Sequence, residues 1–120
     1  MSIKVKFELL SLVEAIKKIE LYSQDFSNAD DFYHDQKSFD ASMMQFVVIG
    51  EAINRLDKKY KAQHNEIPWQ KIKDFRNIIA HDYFGIDADE IWDIIKNKIL
   101  PLKEKITLLS ATTETTNTPR

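Results

Sequence analysis

From Phe39 to Tyr60 the chain repeats apolar side chains in steps of three and four. Phe39, Met43, Phe46, Gly50, Ile53 and Tyr60 fall on one near-heptad stripe, and Val47, Ile49 and Ala52 widen it. That period belongs to an α-helix, since a strand alternates its faces every second residue. A stripe this broad predicts a helix from about Gln36 to Lys61 that is touched on two sides, as in the middle of a bundle. Gly50 stands inside it, where glycine costs about 1 kcal/mol relative to alanine. The pattern therefore predicts that another helix comes close at Gly50.

The rest of the chain agrees with a helical class. With two glycines and three prolines in 120 residues there is little turn chemistry for a many-stranded sandwich or barrel. Leu9, Leu12, Val13, Ile16 and Ile19 predict a first helix from about Lys6 to Ser23, with Glu14 and Lys18 placed as a helical ion pair. Ser27 or Asn28 can cap a short turn holding Phe32 and Tyr33. Pro68 suits the first turn of a helix reaching about Asp82, with Trp69, Ile72, Phe75 and Ile79 inward and Gly85 as its stop. Asp87 and Glu90 read as a capping box for a last helix carrying Ile91, Trp92, Ile95, Ile99 and Leu102, which Pro101 should kink or interrupt. The expected fold is all-α: an antiparallel up-and-down four-helix bundle with one extra short helix over residues 1–109. The polar, Thr-rich stretch 110–120 is expected to be a flexible tail.

Composition bounds the function. At 43% hydrophobic and 30% charged the chain can build a core and is not a disordered segment. The absence of cysteine excludes disulfides and thiolate metal sites. No run approaches the roughly 18 apolar residues of a membrane span, and the N-terminus lacks a signal-peptide layout, so a cytoplasmic protein without membrane contact is expected. The net charge of −2 does not mark a nucleic-acid binder, so any RNA contact would come from a local patch or from a partner.

The run RNIIAHDYFGID, residues 76 to 87, concentrates the chemistry. His81 can take or give a proton near neutrality, and Arg76 presents a permanently charged fork suited to phosphate. Such a pair can cleave RNA without a metal or cofactor, His81 activating the 2′-hydroxyl and Arg76 stabilising charge on the phosphorane. On one regular helix the two stand about 140° apart around the axis, so they do not share a face. Either the helix unwinds near His81, or two chains of a two-fold dimer contribute to one site. Asn77 and Asp82 are candidates for lining it. Glu51 either pairs with Arg55 one turn on or lines the site. The plain alternative for Arg76 and His81 is that they complement the helix dipole.

Arg76-x4-His81-x-Tyr83 resembles the R-x4-H-x-Y signature of the HepT-like branch of the HEPN superfamily. IGEAINRL (49 to 56), IPW (67 to 69), FRNIIAHDYFGID (75 to 87) and the tryptophan of DEIW (89 to 92) follow the order and spacing of that family. The resemblance covers roughly residues 5 to 106 and implies a HEPN helical bundle. It further implies a metal-independent endoribonuclease toxin acting as a homodimer, with the Arg and His motifs of both chains lining one cleft. Arg76 would be the phosphate contact and His81 the acid/base. The antitoxin would be a minimal nucleotidyltransferase of the MntA type, which modifies the motif tyrosine with AMP. That makes Tyr83 the expected acceptor, and a bulky anionic adduct there would block the cleft. Two other readings stand beside this one: a non-catalytic helper of a nucleotidyltransferase, which the acidic pI favours, and a plain structural bundle.

Overall fold

A computed structural model describes residues 2–116, with side chains described as far as residue 111. Among the described residues seven helices follow in order: α1 (Ile3–Ser23), α2 (Ala29–His34), α3 (Gln36–Arg55), α4 (Lys58–Gln63), α5 (Trp69–His81), α6 (Ala88–Asp93) and α7 (Ile99–Thr116). A 3-10 turn, Tyr83–Gly85, follows α5, and a π-helical segment, Ile94–Lys98, joins α6 to α7. No strand occurs among the described residues. The all-α class read from the apolar period holds.

Four long-range contacts give the topology. Glu8 near the start of α1 pairs with Arg55 at the end of α3 (2.9 Å), so these helices are antiparallel. The ring of Phe46 meets that of Phe75 edge-on (5.0 Å), while Asp40, earlier on α3, meets Tyr83 beyond the end of α5; α3 and α5 are therefore antiparallel too. Glu20 late in α1 pairs with Lys103 early in α7 (2.6 Å). The chain thus runs up, down, up and down around a core that includes Leu9, Leu12, Ile16, Met43, Ile49, Ile53, Ile79, Ile91 and Ile106.

Several boundaries differ from the sequence expectation, each for a local reason. The apolar stripe from Gln36 to Lys61 is two helices. Leu56 leaves the helix at φ −72°, ψ 139°, and the Asp57 carboxylate accepts from the Tyr60 amide (2.7 Å) to start α4. This break still buries both Leu56 and Tyr60, so burial gives no signal of it. The described residues accordingly form three short helices, α2, α4 and α6, the last running on through the π-helical segment into α7. Asn28 is the residue that caps α2, accepting from the Asp31 amide (2.9 Å).

Pro68 stands at the N-cap of α5, one position before the first turn. Pro101 does interrupt its helix: its ring would clash with the carbonyl four residues back, at Asn97, and the backbone widens into the π-helical segment just there. Gly85 is not a left-handed helix stop, since no glycine has positive φ. Helix α7 runs past residue 109 to Thr116, and Ser110 is buried. The rest of the expected tail, residues 117–120, lies outside the described residues.

Candidate active site

Helix α5 is held by its first residue. Trp69 is buried, and its indole Nε1 donates to the carbonyls of Lys61 (3.1 Å) and His64 (3.0 Å), closing the C-terminal end of α4. Phe75 and Ile79 then fix the helix's rotation against the core. That rotation turns Arg76 toward α3.

Gly50 is what lets Arg76 in. A Cβ built on Gly50 would lie 2.5 Å from Arg76 Cβ and as close again to Cγ. The close approach expected at Gly50 is therefore real, and the neighbour is the aliphatic stem of Arg76. Beyond that stem the guanidinium lies beside two groups. Nη2 stands 2.7 Å from Glu51 Oε1, an ion pair not aligned as a hydrogen bond, and Nη1 donates to Asn77 Oδ1 (3.1 Å). Nε has no hydrogen-bond partner, and the side chain keeps 25% of its exposure.

The expected Glu51–Arg55 pair does not form. Arg55 reaches across to the buried carboxylate of Glu8, which pushes the guanidinium's pKa up, chiefly through the hydrogen bond between them. Glu51 is thereby left for Arg76. Asn77, a candidate for lining the site, turns back to Arg76.

His81 is the last residue of α5 and remains helical. Unwinding before His81 is thus excluded as the route to Arg76. The imidazole is exposed and makes no hydrogen bond or ion pair with the described residues. Asp82 follows with φ −148° and ψ 59°, and its carboxylate lies over Gly85, where a Cβ would come within 2.7 Å of Asp82 Cγ. Gly85 is needed for room, not for an unusual backbone angle.

Tyr83 opens the 3-10 turn, half-buried against the edge of Phe39 (ring centroids 6.3 Å apart). Its hydroxyl donates to Asp40 on α3. Burial of the phenol, reinforced by Asp40, holds its pKa well above the ordinary tyrosine range. The neighbouring Phe84 is 95% exposed. Among the described residues no three histidine or carboxylate side chains converge as a metal site.

Two clusters result: Arg76 with Gly50, Glu51 and Asn77, and Tyr83 with Asp40 and Phe39. His81 stands on the outer side of α5 between them. Asp40 was not among the residues the sequence pointed to. It lies 43 positions from its partner, and no local pattern joins the two. Only the antiparallel register could have found it. Asp40 lies ten residues back along α3 from Gly50 and Tyr83 seven residues on from Arg76, which is the same direction in an antiparallel pair.

Comparisons with known proteins identify the family. A family model described as "Ribonuclease HepT-like" matches residues 12–109. One relative, "Gamma-glutamylcyclotransferase and putative RNase MJ0434" of Methanocaldococcus jannaschii, is 36% identical over 102 residues, 85% of this chain and 46% of its own length. The chain thus spans about half of that protein. Another, "Probable ribonuclease HepT" of Thermococcus cleftensis, is 34% identical over 97 residues, covering 81% of this chain and 87% of the relative. A third, "Putative RNase MJ0127" of Methanocaldococcus jannaschii, is 33% identical over 95 residues, 79% of this chain and 78% of the relative. No solved structure matches the sequence.

The up-and-down helices, taken with the family match, are those of a helical bundle of the HEPN type. Within that class the chain belongs to the HepT-like family, whose description is that of a ribonuclease. No helix among the described residues is long and apolar enough to cross a membrane.

Proposed function

We propose that this chain is a metal-independent endoribonuclease toxin acting as a homodimer, silenced when a nucleotidyltransferase antitoxin transfers AMP to Tyr83. The observation that carries the reading is the placement of Arg76 and His81. One is anchored against α3 with Nε unpartnered, and the other is exposed at the helix end about 140° away around the axis. One chain does not aim both into a single pocket, and a two-fold axis offers a second copy of each.

A surface for that second copy is available. An apolar groove of about 690 Å³ runs between α5 and the π-helical segment and α7, with Ile72, Phe75, Ile78 and Leu102 among its walls. Ile78 is 50% exposed and lies about 60° around α5 from His81. A partner seated there would come up beside the imidazole.

In the cleavage step His81 accepts the proton of a ribose 2′-hydroxyl. The 2′-oxygen bonds to the adjacent phosphorus, and the 5′-oxygen leaves with the electron pair of the broken P–O bond and takes a proton from solvent, giving a 2′,3′-cyclic phosphate. Arg76 meets the charge that develops on the non-bridging oxygens. Removing either group should lower the rate by at least about 100-fold. The test is cleavage of RNA by purified protein in the presence of chelator, wild type against Arg76→Ala and His81→Ala. Cleavage by both variants at the parent rate would remove the assignment.

A second reading draws on one specific observation: Arg76 is already paired with Glu51, and Asp40 and Asp82 flank Tyr83, which makes the surroundings acidic. A helper subunit that binds a nucleotidyltransferase without cutting RNA fits that charge. Absence of toxicity on expression, with tight binding and no modification, would favour it.

A further inference from the structure

Tyr83 is the acceptor in the reading above, and the present inference rests on that reading. A phenol whose pKa is held above its ordinary value carries almost no phenolate at neutral pH, so it needs a base to become a nucleophile. The structure supplies one. Tyr83 Oη–H points at Asp40 Oδ1, and the ring behind it is fixed by Phe39 and by the backbone of the 3-10 turn.

Asp40 itself has no other hydrogen bond or ion pair with the described residues, and it is exposed. A carboxylate kept only for structure gains little from binding one half-buried hydroxyl. A carboxylate that must receive a proton and hand it to water needs this placement: contact on one side and solvent on the other.

We propose that Asp40 is a catalytic residue of the toxin itself, the general base that activates Tyr83 for transfer of a nucleotidyl group from a nucleoside triphosphate. Tyr83 Oη bonds to the α-phosphorus as its proton passes to Asp40 Oδ1. The bond between the α-phosphorus and the oxygen bridging to the β-phosphate breaks, and pyrophosphate leaves with the electron pair. Asp40 then releases the proton to solvent. The modified chain would thus contribute both the acceptor and the base to its own inactivation, the antitoxin contributing the bound triphosphate.

The test is a time course of intact mass and peptide mapping for the full chain incubated with the nucleotidyltransferase, ATP and magnesium. Wild type is compared with Asp40→Asn, Asp40→Glu and Tyr83→Phe, each checked for wild-type helical content. Asparagine keeps an oxygen that can accept the Tyr83 hydrogen bond and loses the basicity. The expected result is a fall in kcat of at least about 100-fold for Asp40→Asn, with KM within a few-fold, and partial recovery in Asp40→Glu. Modification of Tyr83 in Asp40→Asn at the wild-type rate overturns the role of Asp40 and leaves Tyr83 as acceptor. A raised KM with unchanged kcat also overturns it, because Asp40 would then serve docking. Equal modification of wild type and Tyr83→Phe instead overturns the acceptor reading, and with it this one.

Discussion

Replacing Gly50 by alanine should destabilise the bundle and displace Arg76, although in an isolated helix the same change is favourable. The new Cβ would stand 2.5 Å from Arg76 Cβ. Carbon atoms in contact prefer about 3.5–4.0 Å, so α3 and α5 would have to part by roughly 1 Å or the arginine stem would have to change rotamer. The atoms that block it are the first two of the side chain, which cannot swing away as a flexible tip could. Overpacking of this kind costs about 1–3 kcal/mol, and the gain in helix propensity offsets about 1 kcal/mol of it. The net expectation is a loss of about 1 kcal/mol, or a fall of roughly 4 °C in Tm for a chain of this size. Because Glu51 follows Gly50 directly, the same displacement loosens the Arg76–Glu51 pair. A shift of about 1 Å in a transition-state contact can cost on the order of 100-fold in rate. Thermal melting and RNA cleavage measured on the same preparation are the assays. A variant that melts higher than wild type would refute the packing argument, because only the propensity gain would then remain.

Three further outcomes follow from other contacts. Arg55→Ala should cost about 1–2 kcal/mol by urea titration, and more than Glu8→Leu, because it strands the carboxylate of Glu8, which is only 3% exposed; the half-exposed arginine keeps the figure below that of a fully buried pair. Tyr83 should make stability fall with rising pH above about 10: its folded pKa is raised, so its contribution is complete below the unfolded value and is lost as pH climbs toward the folded one. Tyr83→Phe should flatten that alkaline slope, and an unchanged slope in chemical denaturation across this range would contradict the burial of the phenol. Pro101→Ala should raise Tm by restoring a backbone donor, and a Tm at or below that of wild type would mean the π-helical segment is held by packing and not by the proline.

Apolar periodicity reports which residues of a helix face inward, and here it found the helical class and most of the core. It carries no information on how one helix is set against the next. Glu51 had two possible arginine partners, one a turn away and one on a different helix. The nearer, Arg55, was claimed by Glu8, whose burial inside an N-terminal helix no local pattern announces. Gly50 was the exception. Its cost in a helix signalled a close neighbour, though not which one. The break at Leu56 was hidden because both sides of it bury apolar residues in the same phase. Arg76, His81 and Tyr83 were legible as chemistry because their types and spacing resemble a family motif. Asp40 was not, because its only distinction is the register that carries it to Tyr83.

The most direct test of a site shared between two chains is complementation between dead variants. Arg76→Ala and His81→Ala protein would be mixed, allowed to exchange subunits, and assayed for RNA cleavage beside each variant alone, with the mixed dimer verified by native mass. If one chain's arginine works with the other's histidine, each mixed dimer holds one intact site of its two. Random exchange then restores about a quarter of wild-type activity. A mixture that forms mixed dimers and yet stays as inactive as its parents would contradict the shared site.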